Sequence, residues 1–210
     1  SYQVAELQGN KGALATSFWS DQVMEVKPRF CCLEMLRGKP VRVADYTQVK
    51  QFIELKLLQA AAYPRGPAHM AFDFAYLRNL EKYNLKAGLL SQAEEILKST
   101  YIPNTSSHGD FHIGNMVYID YEIKIIDWSM FTSNGSFITD YIHFYNYQNA
   151  VRHNESWTQS IFKEQDYIHA LAQRFNSSPD HLLLAYSISR ISGELAQKKS
   201  LSQVTDTEIA

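Results

Sequence analysis

Residues 108–127 read HGDFHIGNMVYIDYEIKIID, and the rest of the chain is best read outward from them. Asp110 stands in a loop with Gly109 and Gly114, five positions before the amide of Asn115. Two short apolar runs follow, MVYI (116–119) and EIKIID (122–127), joined by Asp120-Tyr121. Alternating apolar residues on either side of a two-residue turn predict a β-hairpin. Asp127 closes its second strand directly after Ile125-Ile126. A carboxylate beside an apolar run needs a partner.

Upstream, residues 14–26 and 29–36 read as two short strands parted by Lys27-Pro28, and Arg37-Gly38-Lys39-Pro40 stops the second. A long helix is predicted from Asp45, as its N-cap, to Tyr63. Its residues Val49, Phe52, Ile53, Leu55, Leu57 and Leu58 are spaced for a wide buried face. PRGPAH (64–69) breaks that helix. Two more helices are predicted near 70–83 and 90–100, ending at Pro103-Asn104, and 104–115 is a polar loop. Downstream, a helix is predicted from Asp140, with Tyr141, Phe144, Tyr145 and Gln148 on one face. Trp157, Ile161, Ile168, Leu171, Ala172 and Phe175 stripe a second, and Ser178-Pro179-Asp180 opens a third that runs to about Lys199. The tail 201–210 is polar.

Composition bounds the partners. A length of 210 residues supports one large domain, or a small lobe and a large one. A net charge of -2 and the lack of any Lys/Arg run argue against nucleic acid or an anionic membrane surface as partner. No apolar run approaches the roughly eighteen residues of a membrane span, and SYQVAELQGNKG at the start has no signal-peptide core. Cys31 and Cys32 are the only cysteines. Neighbours in a strand face opposite ways, so no disulfide framework is expected and a cytoplasmic location fits. Oligomeric state is open.

Phosphoryl transfer to a hydroxyl needs about the set in 108–127: one carboxylate to orient and deprotonate the hydroxyl, and two oxygen ligands to hold Mg2+ on a nucleotide's phosphates. The Asp-to-Asn interval is that of the kinase catalytic loop H-R-D-L-x-x-x-N. Singly, each acid has a plainer explanation, since loop Asp residues commonly close Asx turns. Together, HGDFHIGN (108–115), IIDW (125–128) and Asp140-Tyr141 resemble the aminoglycoside phosphotransferase/choline kinase family, small-molecule kinases with the fold of protein kinases. That resemblance implies Asp110 as catalytic base, and Asn115 and Asp127 as Mg2+ ligands. It implies His108 as the residue holding the loop backbone, and Asp140 as a buried acid bracing the loop. FCCLEMLRGKP (30–40) is similar to the family's interlobe hinge, which puts the adenine of ATP, or the guanine of GTP in its place, beside Glu34, Met35 and Leu36.

The resemblance implies an α+β, protein-kinase-like fold. Residues 1–36 would be a remnant of the N-terminal lobe with the hinge strand, 37–200 the helical catalytic lobe, and 201–210 the tail. The phosphate-covering loop, the strand lysine and its helix glutamate have no counterpart before Phe30, where Lys11 and Lys27 are the only lysines. Turnover by this chain alone is therefore expected to be weak or absent. The acceptor is expected to be a small hydroxyl compound: an aminoglycoside, choline, a sugar or an amino-alcohol. Tyr141, Tyr145, Trp157, Glu155 and Asp166, with Glu194, are the candidates to line its pocket. Aromatic and acidic groups there would suit a cation, although helix packing explains most of these aromatics as well. Two alternatives stand beside this expectation. One is a pseudokinase-like binding module, and the other a two-metal phosphoesterase, which needs more His and Asp ligands than the chain sets together.

Overall fold

The computed structural model describes residues 18, 19, 21, 38–72, 74–78, 88–163 and 166–197. Its first described strand, β1 (Lys39–Pro40), precedes a 3-10 turn at Val43–Asp45 and helix α1 (Tyr46–Ala61). Then come β2 (Arg65–Pro67), a short helix α2 (Phe74–Leu77), α3 (Leu89–Lys98), β3 (Tyr101–Pro103) and β4 (Thr105–Ser107). The hairpin β5 (Met116–Ile119) and β6 (Glu122–Ile125) follows, and then β7 (Thr132–Gly135). Four helices end the described chain: α4 (Phe137–His153), α5 (Trp157–Ser160), α6 (Asp166–Phe175) and α7 (Pro179–Gln197). The described residues thus form an α+β protein, mostly helical, with small antiparallel sheets ordered β1-β5-β6, β2-β3 and β4-β7. Among them, no helix is long and apolar enough to cross a membrane.

The hairpin forms as its pattern predicts. Met116 pairs with Ile125 and Ile119 with Glu122, leaving Asp120 and Tyr121 as the two-residue turn. Both turn residues have left-handed backbones, φ 50° and 67°, as a type I′ turn requires to match the strand twist. Met116, Ile123 and Ile125 face the core and are buried, and Val117, on the opposite face, is buried beside Gly38.

Elsewhere tertiary packing overrides local pattern. Phe18 and Trp19, inside the first expected strand, lie in a turn, and Asp21 is 3-10 helical. Trp19 is fully buried, with its ring centroid 5.5 Å from those of Phe111 and Phe137 and 5.7 Å from that of Trp128. It belongs to the core of the helical body, because burying an indole among aromatics outweighs a weak strand preference. The second expected strand, 29–36, lies outside the described residues.

Helix α1 begins after a 3-10 turn, and Asp45 does not cap it; its Oδ2 accepts the Arg42 N–H at 2.8 Å. Val49, Ile53 and Leu57 are buried as expected, but Leu55 and Leu58 are more than half exposed. The buried stripe runs instead through Lys56 and Ala60. Lys56 sits between the Phe18 and Trp19 rings and its Nζ reaches Asp21 Oδ1 at 2.6 Å, which ties the 18–21 segment to α1.

Of the helix expected at 70–83, only Phe74–Leu77 is an α-helix among the described residues. The polar loop 104–115 contains strand β4 and a 3-10 turn at Ile113–Asn115. The helix expected from Asp140 starts at Phe137, because the Ser136 hydroxyl accepts the Ile138 N–H and caps it. The Trp157–Phe175 stripe is split between α5 and α6.

Candidate functional site

The loop after β4 is tied to two neighbours. Asp140, in the first turn of α4, is buried beneath it. Its carboxylate accepts the Ser107 hydroxyl at 2.8 Å and the N–H groups of His108 and Gly109 at 2.8 and 2.9 Å. Burial pushes the Asp140 pKa up to about 7, against the pull of those three donors. Gly109 has φ +84°, and a Cβ there would lie 2.3 Å from the Met130 carbonyl oxygen. Only glycine makes this turn.

His108 closes the loop from the other side. Its Nδ1 accepts the Asp110 N–H at 3.2 Å, and its Nε2 stands 3.0 Å from the Ile126 carbonyl. With Nδ1 accepting, the proton sits on Nε2, so the ring is neutral. Burial agrees, pulling its pKa down to about 4.

The Asp110 carboxylate meets donors on both oxygens. Oδ1 accepts Arg190 Nη1 at 3.0 Å and lies 3.3 Å from His143 Nε2. Oδ2 accepts Asn115 Nδ2 at 3.2 Å and lies 3.4 Å from His112 Nε2. Burial alone would raise its pKa. The two imidazoles and the Arg190 charge outweigh that and hold the group far below the usual carboxylate range. Asp110 is thus ionised and aimed, a quarter exposed at its side chain.

Asn115 and Asp127 flank the same end of the hairpin, because Ile126 N–H donates to the Asn115 carbonyl at 2.9 Å, one step beyond the Met116–Ile125 pair. Asn115 is buried, and its amide nitrogen also donates to the Asp110 carbonyl at 2.9 Å. No described residue hydrogen-bonds its Oδ1. Asp127 has a left-handed backbone, φ 59°, and an exposed carboxylate whose Oδ1 is 3.4 Å from the Ser129 N–H. The hairpin therefore brings together Asp110, Asn115 and Asp127. Among the described residues no group of three or more His, Cys, Asp and Glu side chains is arranged to hold a metal ion.

Of the residues expected to line an acceptor pocket, Glu194 is next to the site, hydrogen-bonded to the Arg190 that holds Asp110, and the other five are elsewhere. Tyr141 and Tyr145 lie about 160° around α4 from His143. Tyr141 is 3.4 Å from Glu54 Oε1 on α1, and Tyr145 stacks on Tyr167 of α6 at 5.0 Å. Trp157 packs edge-on to Tyr186, Glu155 pairs with Lys163, and Asp166 is exposed at the start of α6. None of the five has a hydrogen bond, ion pair or ring contact with Asp110, Asn115 or Asp127. Glu34, Met35 and Leu36 of the expected hinge lie outside the described residues.

Three residues around Asp110 escaped sequence reasoning: His143, Tyr147 and Arg190. His143 Nδ1 is 3.0 Å from the Tyr186 hydroxyl, which accepts Asn146 Nδ2 at 3.3 Å. The tyrosine then donates to Nδ1 and leaves the imidazole proton on Nε2, toward Asp110. Tyr147 stacks on His112 at 4.2 Å. The positions 140, 143 and 147 share one helix face, so the spacing held the signal once Asp140 was placed under the loop. Arg190 comes from α7, with no local motif to announce it.

No family model, no curated protein and no solved structure matches the chain.

Proposed function

We propose that the chain is a Mg2+- and nucleotide-dependent phosphotransferase that acts on a hydroxyl of a small molecule, on a protein-kinase-like fold. The observation that carries this reading is the juxtaposition of an ionised Asp110, held by Arg190 and Asn115 and flanked by two imidazoles, with Asn115 and Asp127 at one hairpin end. The likeness of HGDFHIGN and IIDW to the aminoglycoside phosphotransferase/choline kinase family supports it.

The oxygen pair suits a hard cation, which takes oxygen ligands. Asn115 Oδ1 is claimed by no described residue and the Asp127 carboxylate is exposed. These two residues would hold Mg2+ carried in with ATP or GTP, and the ion would supply charge neutralisation at the nucleotide's phosphates. Asp110 receives the acceptor hydroxyl and takes its proton as the oxygen bonds to the γ-phosphorus, while the bond from that phosphorus to the bridging oxygen breaks and the nucleoside diphosphate leaves. A carboxylate of low basicity suits this step, because phosphoryl transfer through a loose transition state relies mainly on positioning. His108 and Asp140 keep the loop from moving.

Five of the residues expected around a cationic acceptor are not at Asp110, and the sixth, Glu194, is paired with Arg190, so none carries an argument about the acceptor's charge. A non-catalytic binding module is the second reading, favoured by the full set of partners that Asp110 already has inside the chain.

Calorimetry of Mg2+-ATP binding to the full chain tests the metal-nucleotide half of the proposal. Asp127→Ala is expected to weaken binding by about tenfold or more, the loss of one charged ligand. Equal affinity for wild type and variant would remove Asp127 from the metal site.

A further inference from the structure

Helix α7 is docked by an apolar side: Leu182, Ala185, Tyr186, Ile188 and Leu195 are buried in the common core. Arg190 contributes nothing to that side. It sits with only 15% of its side chain exposed, beside two carboxylates that are themselves largely covered. Burying a guanidinium costs desolvation that an apolar residue would avoid. The geometry says what the charge does there. One nitrogen, Nη1, donates to both the Gly109 carbonyl and Asp110 Oδ1, each at 3.0 Å. Nε donates to Glu194 Oε1 at 2.5 Å, one turn further along the helix. Met130 Sδ lies 3.8 Å from Nη1, and a Cβ at Gly193 would come within 2.7 Å of Met130 Cε, so helix and loop are packed close at this point.

We propose that Arg190, oriented by Glu194, is the positioning residue of this site: it locks the Gly109–Asp110 turn to α7 and fixes which carboxylate oxygen faces the acceptor. Arg190 holds Oδ1 from the protein side, and His143 Nε2 stands 3.3 Å from the same oxygen. The acceptor hydroxyl is then received at Oδ2, which no cation among the described residues holds: it accepts the Asn115 amide at 3.2 Å, with His112 Nε2 3.4 Å away. The planar fork is essential to the task. It grips Glu194 through Nε while Nη1 spans the carbonyl and the carboxylate, which a lysine ammonium cannot do at once. This role rests on the reading of Asp110 as the base of phosphoryl transfer. Its structural core, the lock on the loop, is testable apart from that.

The experiment has two arms, both on the full chain. In the first, phosphotransfer by wild type, Arg190→Ala and Arg190→Lys is measured with and without added guanidinium. Arg190→Ala is expected to lower kcat about 100-fold, the cost of a misaimed group, with KM for Mg2+-ATP unchanged within about twofold. Guanidinium restores much of the rate and ammonium at equal concentration does not, while Arg190→Lys stays well below wild type. A kcat within about twofold of wild type, or a loss that guanidinium leaves untouched, would overturn the proposal. In the second arm, amide hydrogen exchange is followed in Arg190→Ala without any substrate. Exchange at His108–Asp110 is expected to quicken by about tenfold or more while the buried half of α7 keeps its protection. Unchanged loop exchange would overturn the lock. If wild type transfers no phosphate to any acceptor, it is the phosphotransferase reading that fails, and the exchange arm still decides the lock.

Discussion

One guanidinium and one amide donate to the Asp110 carboxylate, and the protonation of the two buried imidazoles nearby, His108 and His143, follows from what each nitrogen touches. His108 and His143 are both buried and neutral, with pKa values pulled by burial from 6.5 to about 4. An unfolded chain takes up protons on both between pH 6.5 and 4, and the folded chain does not. The folded state therefore loses stability as pH falls through that window, by up to about 3 kcal/mol for each histidine. Asp140, held at about 7, acts in the opposite sense, because the folded state keeps a proton there that the unfolded chain releases above its ordinary value. Comparing wild type with His143→Gln cancels the Asp140 contribution. Urea unfolding at stepped pH should show the variant losing less stability on acidification, with the gap changing by about 1 kcal/mol per pH unit. A gap that is flat from pH 6.5 to 4.5 would mean that His143 is not held neutral.

The elements that carry the site differ in how plainly the residues announced them. The hairpin was legible, because its period-two pattern and two-residue turn agree with each other and with the core. So was the acid-amide interval from Asp110 to Asn115, which a single 3-10 turn closes. The start of α4 was misplaced by three residues, since Ser136 supplies a cap that the eye passes over in favour of Asp140. Leu55 and Leu58 were assigned to the core because spacing shows that a helix has an apolar side and not how wide the buried stripe is. The link between β4 and α4 was legible only as a resemblance, and its energetics belong to this scale. Asp140→Ala removes the acceptor for a hydroxyl and two backbone N–H groups in a buried place. It should destabilise the fold by about 3 kcal/mol or more, measured by urea denaturation. A cost under about 0.5 kcal/mol would mean the carboxylate is not the strap described above.

At the scale of the whole molecule, the site joins parts of the chain far apart in sequence: the β4 loop, the hairpin end, the middle of α4 and the second half of α7. The first two carry motif residues, so sequence reasoning found them. The last two contribute His143 and Tyr147, which share the helix face of Asp140, and Arg190, which no local pattern announces. Trp19 is the same lesson in the core, where an apparent strand residue packs against His108 and Phe111 of the loop after β4. The direct test is the rate of phosphate transfer from Mg2+-ATP to a panel of small hydroxyl compounds by wild type and Asp110→Asn, with a radiolabelled γ-phosphate to register slow turnover. The account predicts slow but measurable transfer by wild type and a loss of about 100-fold or more in Asp110→Asn, with nucleotide affinity preserved. Transfer by Asp110→Asn at the wild-type rate would contradict it.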